Sequence, residues 1–122
     1  MVKSANKQRR KQVVFVGRSQ RDIQKFPESV RYTVGQAIDD AVNGDKHPST
    51  KVMQGFGGAS VVEIVSRAAD GTYRVVYTTM MADFVVVLHA FKKKSVKGIA
   101  TPKKEIDMIK SRLREAKNRY GG

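Results

Sequence analysis

The chain has no cysteine, no tryptophan, three prolines, two histidines, and only 11 acidic residues against 24 lysines and arginines. Without cysteine there is no disulfide framework, no thiolate zinc site, no iron–sulfur cluster and no thiol nucleophile. No run approaches the roughly 18 apolar residues of a membrane-spanning helix. The early apolar stretch Gln-Val-Val-Phe-Val-Gly after Lys11 is too short for the core of a secretion signal. The expectation is a cytoplasmic protein with no membrane partner.

What is present is positive charge, unevenly placed. The 122 residues fit one domain, and the formal net charge is +13. Residues 1–11 carry five bases and no acid, residues 92–122 carry eleven bases and three acids, and residues 12–91 carry eight of each. A neutral body with two basic ends concentrates the field and favours a polyanion over a small neutral ligand. Residues 1–11 lack apolar periodicity and read as a flexible basic arm, leaving 12–122 as the folded domain.

Hydrophobic spacing then orders the domain. Val13 to Val16 predicts a strand closed by Gly17, and Ser19 is placed to cap a short helix carrying Ile23 and Phe26 that ends at Pro27. Val30, Val34, Ala37, Ile38, Ala41 and Val42 form the stripe of an amphipathic helix over 29–42, stopped by Asn43-Gly44. Residues 45–50 read as a loop. Gly55-Phe56-Gly57-Gly58 lacks both the Gly-Lys-Ser/Thr ending of a P-loop and the Gly-x-Gly-x-x-Gly spacing of a dinucleotide site.

Three strands follow over 61–67, 72–78 and 83–91, the first two joined through an Asp70-Gly71 turn, which predicts an antiparallel meander. The last is apolar on both faces and belongs inside the sheet. With Thr101 as N-cap and Pro102 at the first helical position, a terminal helix opens whose seam is Ile106, Ile109, Leu113, Ala116 and Tyr120. The expected class is α+β: an antiparallel meander with two N-terminal helices and a C-terminal helix on one face.

No paired Asp-x-Asp or His-x-x-x-His supplies a two-metal nuclease, and no Gly-x-Ser-x-Gly marks a serine hydrolase. RNA offers chemistry that needs neither. Its 2′-hydroxyl attacks the adjacent phosphate once a base takes the proton and fixed cations stabilise the charged transition state. Arg67 and Arg74 flank the Asp70-Gly71 turn, and Arg74 lies on the face opposite Tyr73 and Tyr77. An exposed cross-strand ion pair with Glu63 is the structural alternative for Arg74. Alternation places His89 with Val85, Val87 and Phe91, where it is either a core histidine or a proton-transfer group. Lys92, Lys93, Lys94 and Lys97 offer phosphate contacts or simply a solubilising flank.

Several blocks together resemble a known family. They are His89-Ala90-Phe91-Lys92-Lys93-Lys94-Ser95, Gly98-Ile99-Ala100-Thr101-Pro102, Glu105-Ile106-Asp107 with Arg112, Tyr73-Arg74-Val75-Val76-Tyr77, and Val62-Glu63-Ile64. Over residues 12–120 the chain resembles the phage-derived HigB branch of the RelE toxin superfamily, with Val62 where that family usually has tryptophan.

The resemblance implies a RelE-like α+β fold and the toxin of a type II toxin–antitoxin pair. Such a toxin is an endoribonuclease that cuts mRNA on the ribosome without metal or cofactor and is neutralised by a helix-turn-helix antitoxin. By position it implies that Arg74 and Arg67 stabilise phosphate charge, that His89 or a lysine of 92–94, Lys93 among them, serves proton transfer, and that Lys92, Lys94, Lys97, Lys103 and Lys104 hold RNA. Composition fits equally a non-enzymatic RNA- or ribosome-binding protein. DNA binding through the basic terminal helix is a third reading, but no helix-turn-helix pattern precedes it.

Overall fold

The structure is a computed structural model that describes residues 10–93 and 101–121. Its elements run β1 (Gln12–Phe15), α1 (Ser19–Gln24), α2 (Glu28–Val42), β2 (Thr50–Val52), β3 (Val61–Ala68), β4 (Gly71–Thr78), β5 (Phe84–Lys93) and α3 (Lys103–Ala116), closed by a π-helical turn over Lys117–Gly121. This is a mixed α+β domain. The five strands form one sheet in the order β1-β5-β4-β3-β2.

The meander β3-β4-β5 forms as its short connections require. Two strands extend the sheet beyond the expected antiparallel meander. β1 pairs in parallel with β5, Val13 opposite Val85, and β2 extends the sheet beyond β3, Lys51 opposite Glu63. β2 begins at the end of the expected 45–50 loop and is not among the expected strands, because Thr-Lys-Val is too short to carry a period of its own. β5, apolar on both faces, lies between β1 and β4.

The helices occupy both faces, which corrects the one-face arrangement. Val30, Val34, Ala37 and Ala41 of α2 pack with Val62, Ile64, Val75, Tyr77, Val85 and Val87. Ile109, Leu113 and Ala116 of α3 pack on the opposite side with Val16, Val61, Val76, Val86 and Leu88. A chain entering α3 at the far end of β5 is free to cover whichever face remains apolar, and Val76, Val86 and Leu88 leave one to cover.

A bulge in β5 decides which side chains reach that face. Pairing with β4 runs Val76 to His89 and then Tyr77 to Val87, so Leu88 and His89 together oppose Val76. Strict alternation would send His89 to the α2 side with Val85 and Val87. The extra residue moves it to the α3 side, and Phe91 with it, where the two rings stack 5.2 Å apart.

Two local caps expected from sequence are replaced by tertiary bonds. Arg18 occupies the N-cap of α1, and the Ser19 hydroxyl donates to the Val87 carbonyl at 3.2 Å. Pro102 occupies the N-cap of α3, and the Thr101 hydroxyl donates to Glu63 at 3.3 Å. Lys11, read with the basic arm, is tied down, its Nζ donating to the Thr79 and Met81 carbonyls at 2.9 and 3.0 Å. Residues 1–9 of that arm lie outside the described residues. No helix among the described residues is long and apolar enough to cross a membrane.

Candidate functional site

Register arranges polar side chains in rows across the α3 face. One row runs Lys51, Glu63, Val76, His89; the next Val65, Arg74, Phe91; the outermost Arg67, Thr72, Lys93. Rows on one face are roughly 7 Å apart along the strands, and alternate strands about 10 Å apart across them. Arg67, Arg74, His89 and Lys93 therefore share one face, as four residues of two hairpins. Ile109 and Leu113 of α3 cover the apolar residues nearer β1.

Arg74 is the unusual member. It is buried, its side chain 6% exposed, and so is Glu63 at 2%. The ion pair with Glu63 foreseen as exposed is therefore internal, because Phe91 and the meander enclose it on the α3 face. Arg74 Nη1 lies 3.1 Å from Glu63 Oε1, yet Nη1 and Nε make no aligned hydrogen bond among the described residues. A buried guanidinium is costly unless a counter-charge accompanies it, and Glu63 supplies that charge while leaving Nε without an acceptor among the described residues. Glu63 also borders a groove of about 430 Å³ whose walls include Lys51, Gln54, Thr101 and Ile106.

His89 is held at both ring nitrogens. Arg112 Nη1 lies 3.1 Å from Nδ1 and also donates to the Leu88 carbonyl at 3.0 Å. Guanidinium is only a donor, so Nδ1 accepts, and Nε2–H must donate to Glu105 Oε1 at 2.6 Å. Arg112 in turn lies against Gly17, where an added Cβ would come within 2.7 Å of its guanidinium carbon and where φ is +61°. The bulge, Gly17 and α3 thus fix His89 as a link between sheet and helix.

Glu105 and Arg112 were legible only as a motif and as helix charges. Glu105, Ile109 and Arg112 fall at i, i+4 and i+7, so two charged residues occupy the inward stripe of an amphipathic helix, and inward charges need partners. Glu63, alone in the apolar strand Val-Val-Glu-Ile-Val, gives the same signal.

The lysines divide. Lys92 is on the opposite face from Arg74, where its Nζ bonds Asp70 at 3.1 Å and lies 5.7 Å over the Tyr73 ring. Lys103 and Lys104 are exposed at the start of α3, Lys103 paired with Asp107 at 3.0 Å. Lys94 and Lys97 lie outside the described residues. Among the described residues no three His, Cys, Asp or Glu side chains cluster as metal ligands.

The Lys92 cluster gives a pH prediction. The Tyr73 hydroxyl and then Lys92 hold the Asp70 carboxyl below its ordinary value, while Asp70 pushes both Tyr73 and Lys92 up. A lowered acid contributes above its unfolded value of about 4 and loses that contribution as pH falls through the folded one. Raised groups contribute below about 10 and lose it as pH climbs through their folded values. Asp70→Asn is expected to move the Tyr73 titration down toward normal by NMR and to remove this share of the acid-side and alkaline-side stability loss. An unchanged Tyr73 titration would contradict the pairing.

A family model described as Phage derived protein Gp49-like (DUF891) matches residues 21–114. The chain belongs to this family. The Gp49-like match takes in β2 through β5, α2 and most of α3, and so includes Glu63, Arg67, Arg74, His89, Lys93, Glu105 and Arg112. A search of curated proteins finds no match.

Proposed function

We propose that this Gp49-like protein is the toxin of a type II toxin–antitoxin pair of the HigB branch, a metal-independent endoribonuclease acting on ribosome-bound mRNA in the cytoplasm and neutralised by a helix-turn-helix antitoxin. The observation that carries the reading is Arg74, buried on the sheet with donors unfilled and with Arg67 and Lys93 in the next row. A guanidinium fork binds two phosphate oxygens at once, and Arg74, enclosed beside Glu63, receives a scissile phosphate when its side chain turns toward the Arg67–Lys93 row. The relation of the Gp49-like family to RelE/HigB-like toxins supports the same reading.

In this mechanism the RNA 2′-oxygen attacks its own 3′-phosphate, the 5′-oxygen leaves, and Arg74 takes up the charge that develops on the phosphoryl oxygens. Arg67, exposed at the hairpin end, steers and holds the adjoining backbone. Mapping mRNA 5′ ends after brief induction is expected to show new ends within translated reading frames. Arg67→Ala is expected to lower cleavage about tenfold with no change in Tm, because its side chain is at the surface. Growth arrest with no new 5′ ends would defeat the ribonuclease reading and leave a ribosome or RNA binder. One observation favours that second reading: His89, a proton-transfer candidate, has both nitrogens engaged.

A further inference from the structure

We infer that Glu63 is the general base of the reaction, and that His89 positions α3 on the sheet and does not move the proton. This assignment rests on the ribonuclease reading above. Glu63 is next to the phosphate-binding group, its Oε1 3.1 Å from Arg74 Nη1. In the reacting geometry the 2′-oxygen and the phosphorus are about 3–3.5 Å apart. A base and a phosphate clamp serving the two must be immediate neighbours. His89 is two strands away in the same row, about 10 Å from Glu63 across Val76.

Chemistry agrees with the placement. An ionised carboxylate is purely an acceptor with about four lone-pair positions. Among the described residues, Arg74 and the Thr101 hydroxyl are its only recorded partners. Its border on the 430 Å³ groove gives a ribose a path to it. The charged groups around it are Arg74 on β4, Lys51 on β2, and, beyond Val76, His89 with Glu105 and Arg112 from α3.

When the phosphate takes the guanidinium, Glu63 shares its ion-pair partner with a second anion at the moment a proton must be accepted. The proton passes from the 2′-oxygen to a Glu63 carboxylate oxygen. The 2′-O–P bond forms and the P–O5′ bond breaks, and the leaving 5′-oxygen takes a proton from solvent water. The products are a 2′,3′-cyclic phosphate and a 5′-hydroxyl.

The test is single-turnover cleavage of mRNA on programmed ribosomes by the purified protein between pH 5 and 8.5. Wild type is expected to show an acid limb. Glu63→Gln is expected to cleave about 10² to 10⁴ times more slowly with that limb gone, and His89→Gln is expected to keep it. Thr101→Val removes a hydrogen bond to the charged carboxylate and is expected to shift the limb to higher pH, an effect that a purely structural Glu63 would not produce. If Glu63→Gln does not fold, the Thr101→Val profile decides. An unmoved limb there, an intact limb in a folded Glu63→Gln protein, or a limb abolished by His89→Gln overturns the assignment while leaving a cleaving wild type a ribonuclease. A wild type that cleaves nothing overturns the ribonuclease reading itself, and the assignment with it.

Discussion

Arg74→Ala is expected to abolish growth arrest and mRNA cleavage and to destabilise the protein at the same time. Losing a preorganised donor to the developing phosphoryl charge costs roughly 10² to 10³ in rate. The stability loss has a separate cause. Glu63, 1% exposed, would keep its charge in the sheet without its partner, and breaking such a buried pair from one side costs about 3–5 kcal/mol.

The two effects are separable. Arg74→Met with Glu63→Gln removes both charges at similar volume, and replacing a buried ion pair by matched uncharged groups is often neutral. The double variant is expected to melt near wild type by thermal denaturation and still to cleave no mRNA, since it lacks both the phosphate clamp and the base. If it regains cleavage along with Tm, Arg74 and Glu63 both serve only the fold.

Ile109→Ala is the second large effect. Ile109 is fully buried and packs in the cluster that joins α3 to Val16, Val76, Val86 and Leu88. Truncating such a side chain costs about 2–5 kcal/mol through lost burial and the cavity left behind. In a domain of this size that lowers Tm by roughly 10 °C or more. Because α3 carries Glu105 and Arg112, the partners of His89, the same change is expected to accelerate hydrogen exchange in α3 more than in β3 and β4. Uniform acceleration throughout the chain would show that α3 and the sheet open as one unit.

The path from sequence to site was direct wherever a local pattern matched a local structure. The stripe from Val30 to Val42 gave α2, and the Asp70-Gly71 turn gave the β3-β4 hairpin. Alternation put Arg74 opposite the tyrosines, and the structure keeps Tyr73 and Tyr77 on the α2 side with Arg74 facing away. The missed pieces are those whose partners are remote in sequence. β2 is strand only because β3 offers it a free edge, and β1 joins β5 in parallel across most of the chain. Thr101 and Ser19, local caps by pattern, spend their hydroxyls on Glu63 and Val87 because a buried acceptor gains more from a donor than a solvated helix end does.

By itself the sequence determined a cysteine-free α+β domain, its main strands and helices, and a neutral body with basic ends. It also carried the Arg67, Arg74, His89 and Lys93 set. Tertiary structure alone decided which of these share a face and what each can do. One extra residue, Leu88, turns His89 from the α2 side to α3, since a period of two makes every insertion a change of face. Burial converts a surface pairing of Arg74 and Glu63 into an enclosed one with unfilled donors, because the strength of a charge interaction depends on the surrounding dielectric, which no single residue's identity encodes.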